Sequence, residues 1–380
     1  MDYDVIVVGG GPVGASLARA AAGASLALLA AARRISRPAP EDAFDSRVYA
    51  LSPGNVSFLR EIGAWRAIPE ARLAPVHAMR VFGDDGASRI EFDAYRAGVP
   101  ELAWIVEDAA LQDALWQGLD VEVGDLEKIQ ILEKSVRATL RDGRSLEARL
   151  VVGADGANSF VRRAAGIAAA EREYGQTAVV ANFRCEKPHR NTAHQWFQRG
   201  PVLALLPLPG GQVSMVWSLP TAQAQRVLRL APEALCRELE AASRGALGAL
   251  ALAAAPRSYP LRHLAARRMA APRVALAGDA AHVIHPLAGQ GLNLGLQDVR
   301  ELASVLARRD EGRDPGDLRL LRRYERSRAE PILAMNIAVD GLFALFGGRS
   351  EGVARLRNAG LNLADRVPVL KNVLIRQAMS

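Results

Sequence analysis

The feature of this 380-residue chain that most restricts its fold is a glycine turn directly after the first apolar run. The sequence DVIVVGGGPVG places Gly9, Gly11 and Gly14 in the spacing G-x-G-x-x-G, ahead of a small-residue segment. In a strand–turn–helix unit the first glycine makes the turn, the second admits a pyrophosphate, and the third lets helix and strand pack closely. The pattern predicts a βαβ unit that binds a dinucleotide at a helix N-terminus, with a purely structural glycine turn as the alternative.

The carboxylate that usually accompanies this motif is missing. A dinucleotide site commonly carries an Asp or Glu about 20 residues further on, where it binds the adenosine ribose. Here the best-aligned position is Ala30, with Ala31 beside it. Either another group holds this ribose or binding is weakened. Arg33 and Arg34 could reach the adenine end, and the alternative is that both are solvated arginines after a strand.

Two later segments change the pattern. VVGADGANSFVRRAAG runs from a strand into the turn at Asp155, and an ordinary Asp-Gly turn is the simpler interpretation of that segment alone. Between residues 176 and 219, TAVVANFRC, PVLALLPLP and QVSMVWSLP look like strands bounded by proline and glycine, with the helix-like PEALCRELEAA after them. This stretch predicts a sheet-rich inserted domain.

A third glycine-rich stretch, GDAAHVIHPLAGQGLNLGLQD, occupies residues 278–298. The strand RVALAG delivers Asp279 at its carboxyl end, where α/β folds place ligand contacts. AGQGLN then predicts a tight loop whose main-chain N–H groups lie at the start of a helix, an arrangement that stabilises an anion. His282 and His285 have no further metal ligand near them in sequence, so we predict no metal site.

Composition limits the partners and the compartment. The 48 Lys and Arg against 41 Asp and Glu give a net charge of +7, but the positive residues are scattered, which argues against a nucleic-acid partner. The charge is either background or an attraction to phosphate-bearing cofactors or an anionic membrane. Cys185 and Cys236 are far apart and fit a reducing compartment. Without a signal-peptide pattern we expect a cytoplasmic protein, or one bound peripherally to the inner membrane.

Taken together, GGGPVG, DSRVYALS, GADGANSFVR and the residue 278–298 stretch resemble the class A flavin monooxygenases, and most closely the hydroxylases of ubiquinone biosynthesis. The resemblance implies an α/β fold: a Rossmann-like FAD-binding domain of the para-hydroxybenzoate hydroxylase type, with an inserted sheet-rich α+β substrate domain and a helical C-terminal tail. The implied ranges are 1–70, 98–175 and 264–350 for the discontinuous FAD domain, 71–97 and 176–263 for the substrate domain, and 351–380 for the tail.

The resemblance also implies which residues bind FAD. Gly9, Gly11 and Gly14 would take the pyrophosphate, and Arg47 would lie beside the flavin. Asp155 is tied to FAD and nicotinamide cofactor binding, and Asp279 to the ribityl or pyrophosphate part. The residues expected against the isoalloxazine ring are Pro286, Gly289, Gln290, Gly291, Leu292 and Asn293. Ala30 departs from the family's usual Glu, which puts only the adenosine ribose contact in doubt.

The chemistry implied by the resemblance is ring hydroxylation, with NADH or NADPH as a transient reductant and O2 as co-substrate. FAD does the chemistry, so no side-chain nucleophile or base is expected, and His285 or His282 either relays a proton or is structural. We expect a small aromatic substrate, such as a prenylated phenol, against Trp196, Phe197, Leu205 and Trp217, whose alternative role is core packing. The tail RVPVLKNVLIRQAM would lie on a membrane or dock as a helix.

Two other functions stay open from the sequence alone. One is a class A hydroxylase of a soluble aromatic or secondary metabolite. The other is a flavin-binding assembly subunit of a biosynthetic complex, which the missing carboxylate at Ala30 favours.

Overall fold

The computed structural model describes residues 2–21, 23–34, 40, 43–85, 88–198, 200–285 and 289–347, with side chains as far as Gly341. Pro286 and the expected tail 351–380 lie outside the described residues. The described strands form two eight-stranded sheets and one three-stranded sheet, and helices cover them. The expected α/β class, with a parallel sheet near the N-terminus and a second, inserted sheet, is confirmed.

The strands of the described part are β1 (Tyr3–Val8), β2 (Leu26–Ala30), β3 (Val48–Leu51), β4 (Leu73–Val76), β5 (Ala78–Phe82), β6 (Arg89–Asp93), β7 (Ala103–Glu107), β8 (Val121–Val123), β9 (Leu126–Ile131), β10 (Val136–Leu140), β11 (Ser145–Gly153), β12 (Ala169–Cys185), β13 (Thr192–Phe197), β14 (Val202–Leu208), β15 (Gln212–Pro220), β16 (Leu250–Ala266), β17 (Ala270–Ala271), β18 (Val274–Leu276) and β19 (His282–Val283). Its α-helices are α1 (Pro12–Ala20), α2 (Pro53–Glu61), α3 (Ala94–Ala97), α4 (Asp108–Trp116), α5 (Phe160–Ala164), α6 (Thr221–Leu228), α7 (Pro232–Ala242), α8 (Gln290–Ala307) and α9 (Leu318–Gly347).

The first sheet has the order β17-β18-β11-β1-β2-β8, with β10 and β9 attached at β11. β1 lies parallel to both β11 and β2, and β18 continues the parallel pairing on β11. Ile6 and Val7 of β1 are fully buried because helices cover both faces, so the strand is a continuous apolar run rather than an alternating one. α1 begins just after the carboxyl end of β1, and α8 packs against α1.

The second sheet has the order β19-β16-β12-β15-β14-β13-β5-β6. Its longest strands are the antiparallel neighbours β12 and β16, each 17 residues long, in a register running from Ala169 opposite Ala266 to Cys185 opposite Leu250. One face of this sheet packs on α6 and α7, and we call it the outer face. The other face, the inner face, packs toward the three-stranded sheet β3-β7-β4 and toward α8 and α9.

The expected domain ranges stay predictions, although the sheets follow them closely. β5, β6 and β13 to β15 fall in the ranges expected for the substrate domain. β12 and β16 extend beyond those ranges, to Ala169 and Ala266, and β4 joins the three-stranded sheet instead. In the part of the chain described here, none of the helices has the length and apolar character needed to span a bilayer.

Candidate functional site

The first glycine turn is shaped by contacts that leave no room for side chains. Gly9 has a φ of 116°, and a Cβ there would lie 2.2 Å from the Ala154 carbonyl oxygen. A Cβ on Gly14 would lie 1.9 Å from the Gly9 carbonyl oxygen. A Cβ on Gly11 would meet no atom within 4 Å. Gly9 and Gly14 are therefore required by the packing of the chain, whereas Gly11 faces open space at the N-terminus of α1.

Val13 connects this turn to the third glycine-rich stretch. A Cβ on Gly278 would lie 2.9 Å from Val13 Cγ2, and a Cβ on Gly295 would lie 2.7 Å from the same atom. The Gly295 Cβ position is also 3.2 Å from the Gly278 Cα. Val13 of α1 thus fits against bare main chain of α8 and of the turn at Asp279. This contact brings glycine turns from the two ends of the chain to one place.

The N-terminus of α8 is held by Asn293. Its Oδ1 accepts hydrogen bonds from the Ser52 N–H (3.0 Å) and from Asn55 Nδ2 (2.9 Å), and its Nδ2 donates to the Ala50 carbonyl (2.8 Å). The Asn293 side chain is therefore an internal anchor, and a ligand at this end would meet main chain. Gly289 caps the helix at a φ of 64°.

The other expected residues of this loop divide between open and partly covered positions. Among the residues that the structure describes, no atom lies within 4 Å of a Cβ on Gly291, so this glycine, like Gly11, has open space beside it in that part of the chain. Gln290 and Leu292 are half-buried. The loop thus offers main chain rather than side chains to a flat ligand.

A fully buried carboxylate, Asp298, fixes the turn that carries Asp279. Its Oδ2 accepts from the Gly278 N–H (2.9 Å) and from His282 Nε2 (2.6 Å), and its Oδ1 accepts from Arg328 Nε (2.7 Å). Burial alone would raise the pKa of Asp298, but His282, Arg328 and the Gly278 N–H hold that pKa below its usual value. His282 is therefore a structural partner of Asp298.

Arg162 holds the same turn from the other side. Its Nη1 donates to the Ala280 carbonyl (2.8 Å) and its Nη2 to the Ala157 carbonyl (2.9 Å). Asp155 caps α5 instead, because its Oδ2 accepts from the N–H groups of Phe160 (2.6 Å) and Val161 (3.1 Å). The second motif therefore positions the Asp279 turn through Arg162, and the expected contact of Asp155 with a cofactor stays a prediction.

Asp279 itself lies in a crowded cleft with Arg47. Its side chain is exposed to solvent, yet the surrounding protein desolvates it and raises its pKa, while His282, Arg47 and Arg262 oppose that shift. Asp279 thus has protein packed around it while its carboxylate stays open to solvent. The cleft thus presents a carboxylate to any ligand that enters it.

Arg47 stands between two tyrosine rings. Its guanidinium carbon is 5.4 Å from the Tyr49 ring centroid and 5.7 Å from that of Tyr259, and Tyr49 Oη donates to Asp108 Oδ1 (2.8 Å). Burial opposes the charge of Arg47, but Tyr49, Asp108, Tyr259 and Asp279 raise its pKa overall. Sequence reasoning found Arg47 but missed the tyrosines. Tyr49 stands two positions from Arg47, but no local signal indicates Tyr259.

Trp116 packs beside Gly10 and Ala30, at the end of the turn where the sequence predicts the adenosine. Its indole Nε1 donates to the Gly10 carbonyl (2.8 Å), and a Cβ on Gly10 would lie 2.6 Å from the indole and 2.8 Å from the Ala30 Cβ. Ala30 is 5 % exposed. Arg34 is held by α4, where it pairs with Asp113 and donates to the Ala109 carbonyl (2.9 Å). Trp116, which sequence reasoning missed, therefore takes the place beside Gly10.

His285 is buried against β12. Its Nε2 donates to Gln176 Oε1 (3.0 Å), and its ring meets the Tyr174 ring edge-on at 4.8 Å. Burial lowers the pKa of His285 to about 4, so the imidazole is neutral near pH 7. These contacts suit a structural side chain better than a proton relay.

The side chains expected to line the substrate lie mostly on the other face. Trp196, Leu205 and Trp217 are at most 6 % exposed and form one cluster with residues of α6 and α7, on the outer face. These three residues belong to the hydrophobic core of that face, which supports their alternative role in core packing, and their expected contact with the substrate stays a prediction. Phe197 is on the inner face, where it packs with Ile284 and Leu294.

The inner face carries two half-buried apolar residues, Ala204 and Val216, in a row with the buried Val180 and Gln195. Val180 lies opposite Val216, Val216 opposite Ala204, and Ala204 opposite Gln195, so these four side chains share one face. Ala204 and Val216 are half-buried in the middle of an otherwise buried sheet. Because neighbouring Asn182 donates from Nδ2 to the Phe44 (2.9 Å) and Asp45 (3.0 Å) carbonyls, this row is turned toward Arg47.

No group of three His, Cys, Asp or Glu side chains suited to a metal ion occurs within the residues that the structure describes.

Residues 2–336 match the protein family described as FAD binding domain. The chain is 33 % identical to the 3-demethoxyubiquinol 3-hydroxylase of Escherichia coli (strain K12), over 99 % of this chain and 98 % of the relative. It is 34 % identical to the ubiquinone hydroxylase UbiL of Rhodospirillum rubrum, over 99 % and 89 %. It is 31 % identical to the mitochondrial ubiquinone biosynthesis monooxygenase COQ6 of Danio rerio, over 98 % and 89 %.

Solved structures show the same fold at lower identity. The p-nitrophenol 4-monooxygenase PnpA of Pseudomonas putida superposes with a TM-score of 0.79 at 20 % identity, covering 99 % of this chain and 98 % of that one. HpxO of Klebsiella pneumoniae, in complex with FAD and uric acid, superposes with a TM-score of 0.76 at 18 % identity, covering 98 % and 97 %.

Replacing Asp279 tests its place in the cofactor site. The variant Asp279→Ala should purify with less than about a tenth of the wild-type FAD content, because hydrogen bonds to a charged carboxylate contribute about 1.5–3 kcal/mol. FAD absorbance per chain measures this, and far-UV circular dichroism checks the fold. Asp310→Ala, at a carboxylate whose side chain is 84 % exposed, is the matched control. Normal FAD content in folded Asp279→Ala would contradict the assignment.

The buried neutral state of His285 should appear in the pH dependence of stability. The folded pKa of His285, about 4, lies below the ordinary value of 6.5, so the unfolded chain binds the extra proton and stability is lost as the pH falls from 6.5 toward 4. Between pH 7 and pH 5 this histidine should account for about 1–2 kcal/mol of lost unfolding free energy.

Urea unfolding at the two pH values measures that loss, which should be smaller in His285→Asn than in the wild type. His194→Asn is a matched comparison, because burial also lowers the pKa of His194 to about 4. Identical pH dependence in His285→Asn and wild type would show that His285 is not a buried neutral group.

Proposed function

Since the chain belongs to the FAD binding domain family and is an FAD-dependent monooxygenase, we propose that it hydroxylates the aromatic ring of a polyprenylated precursor in ubiquinone biosynthesis. O2 would supply the oxygen, and NADH or NADPH would be a transient reductant. Relatives named as ubiquinone hydroxylases match over nearly the full chain, and this supports the choice of substrate.

One observation carries the proposal: two glycine turns with open space at Gly11 and Gly291 interlock through Val13. A pyrophosphate needs bare main chain at a helix N-terminus, and α1 offers that at Gly11. A flat ring needs close approach to main chain, and α8 offers that at Gly291. The exposed carboxylate of Asp279 follows directly after Gly278, whose main chain packs against Val13. The residues present therefore fit FAD.

In this proposal the chain's own groups divide the work. Main-chain amides of Gly9 to Gly14 would bind the pyrophosphate, and Asp279 would accept hydrogen bonds from hydroxyl groups of the cofactor. When bound, FAD supplies the transfer of electrons from the nicotinamide and the activation of O2. The amides of Gly289 to Asn293, at the positive end of the α8 dipole, would stabilise negative charge on the ring system.

Arg47 would hold a positive charge over the cleft, where the rings of Tyr49 and Tyr259 fix its direction. His285 would position the wall of the site through Gln176 rather than move a proton, because it is neutral and bonded internally. The expected ring contacts of Pro286 lie outside the described residues. The chemistry then needs no side-chain nucleophile.

The substrate would lie on the inner face of the second sheet. Ala204 and Val216 form its half-buried apolar middle, and Phe197 closes one side. Small and apolar side chains at this place leave room for a substituted aromatic ring. A polyprenylated ring also implies work at the inner membrane, with the protein either bound peripherally or delivered by a biosynthetic complex.

The direct test is turnover by the purified FAD-loaded protein. We expect NADH or NADPH oxidation to be coupled to one hydroxylated product when a polyprenylated phenol is supplied, and complementation of one strain lacking a single ring-hydroxylation step. Coupled hydroxylation of soluble aromatics only would replace the substrate proposed here. Flavin binding without coupled product from any aromatic would indicate an assembly subunit instead.

Filling the inner face should block the substrate and leave the cofactor in place. Ala204→Phe should keep its FAD content but lose about a hundredfold in kcat/KM, because displacing a substrate by about 1 Å costs that much. Leu205→Met, at the next residue but on the outer face, is a volume-conserving control that should keep wild-type kcat/KM. If Ala204→Phe and Leu205→Met have the same kcat/KM, the substrate does not lie on the inner face.

A further inference from the structure

The outward side of α9 combines exposed apolar residues with exposed arginines. Leu333 and Ile337 are 59 % and 64 % exposed, which among the large apolar residues described only Tyr95 exceeds. Pro331, Ala334 and Ala338 around them are exposed as well. Between residues 331 and 338 this helix therefore presents an apolar surface without a partner among the described residues.

The arginines lie on the same side of the helix. Positions 319, 322, 326, 330, 333 and 337 follow each other at intervals of three or four, which places them on one face. This face, which we call the α9 strip, consists of Arg319, Arg322, Arg326, Glu330, Leu333 and Ile337. At 1.5 Å per residue it is about 27 Å long. Its first half is basic and its second half apolar, with Glu330 between them.

The basic half extends beyond the helix. Arg267 and Arg268 line a cleft of about 300 Å³ together with Arg322 and Glu325. The Glu325 carboxylate is already used, because it accepts from the N–H groups of Met269 (2.7 Å) and Ala270 (3.3 Å). Within the described chain no ion pair involves Arg267, Arg268, Arg322 or Arg326. The positive charge of this patch is thus available to an external anionic partner.

The opposite side of α9 is fixed next to the candidate site. Met335 and Val339 pack with Ile284 and Leu294. Asp340 accepts from Arg172 Nη2 (2.9 Å) and from Tyr174 Oη (3.2 Å), and Tyr174 contacts His285. The α9 strip therefore points outward. About one helix diameter, roughly 10 Å, separates it from the side of α9 that faces Tyr174 and His285.

We propose that the α9 strip, with Arg267 and Arg268, is a docking surface for an anionic lipid bilayer. The arginines fit acidic headgroups, and the apolar half of the same face fits the acyl region beneath them. An amphipathic helix that lies in the interface needs both on one side. The role in substrate delivery rests on the proposed function, because a polyprenylated substrate would then enter from the surface on which the protein sits.

Vesicle co-sedimentation of the full-length FAD-loaded protein tests the docking surface without any substrate. The wild type should bind vesicles with about 30 mol % phosphatidylglycerol in phosphatidylcholine at least about tenfold more strongly than pure phosphatidylcholine. The double variant Arg322→Gln with Arg326→Gln should lose about tenfold on the acidic vesicles only, and added salt should have the same effect. Leu333→Ser with Ile337→Ser should lose at least about tenfold on the acidic vesicles, because two apolar side chains no longer insert.

The controls match residue type and exposure elsewhere on the surface. Tyr95→Ser removes the most exposed aromatic side chain, and Arg66→Gln with Arg237→Gln removes two exposed arginines. Both should bind acidic vesicles like the wild type, and all variants should retain their FAD absorbance. Equal losses in the controls and the α9 strip variants would show general charge attraction and overturn the proposal.

Turnover separates this proposal from the proposed function. The Leu333→Ser with Ile337→Ser variant should hydroxylate a short-chain, water-soluble substrate analogue at the wild-type rate but lose most of its rate on a long-chain substrate in vesicles. Vesicle binding that depends on the α9 strip, without hydroxylation of any ubiquinone precursor, would refute only the function. If the α9 strip variants bind vesicles as strongly as the wild type, the docking surface is refuted. It is also refuted if the substitutions in the α9 strip convert an oligomer of this chain into monomers, because the strip would then be a protein–protein interface.

Discussion

The packing of Val13 against the bare main chain at Gly278 and Gly295 is the contact on which the site depends. A single methyl group on either glycine would lie within 3 Å of Val13 Cγ2, so α1 and α8 approach as closely as main chain allows. Val13 is in the first turn of α1 and Gly295 in the second turn of α8, so the N-terminal ends of the two helices lie close together although some 280 residues separate the two turns. In the proposed site both helix dipoles would act on one cofactor.

Buried charges then fix the residue that lies between the helices. Asp298 takes the Gly278 N–H, and Arg162 donates to the Ala280 carbonyl, so Asp279 is held by its neighbours on both sides. Burying the charges of Asp298 and Arg162 has a large desolvation free energy, and replacing one partner of a buried pair leaves an uncompensated charge. We therefore interpret these charges as fixing the position of the Asp279 main chain rather than as raising the stability of the fold. This arrangement leaves the Asp279 carboxylate exposed in the cleft, where a cofactor hydroxyl can reach it.

Sequence reasoning succeeded where a local pattern implies a local structure. The glycine spacing predicts the turn at Gly9, and Asp279 indeed follows a parallel strand. It could not choose between the two faces of the second sheet, because strands such as β14 and β15 are buried on both faces and show no alternation. The expected Leu205 and the neighbouring Ala204 differ by one residue, and that step reverses the face of the sheet. Arg162, Tyr259 and Trp116 were missed because their partners are distant in sequence.

A compensating pair of substitutions tests the convergence of the two turns most directly. Gly295→Ala should push α8 from α1 and weaken FAD binding by at least about tenfold in a calorimetric titration. Adding Val13→Ala removes the overlapping Cγ2 and should restore part of that affinity, because only the 3.2 Å approach of the new Cβ to the Gly278 Cα then remains. Val13→Ala alone should bind FAD nearly as well as the wild type. Unchanged FAD affinity in Gly295→Ala, or no rescue in the double variant, would contradict the account.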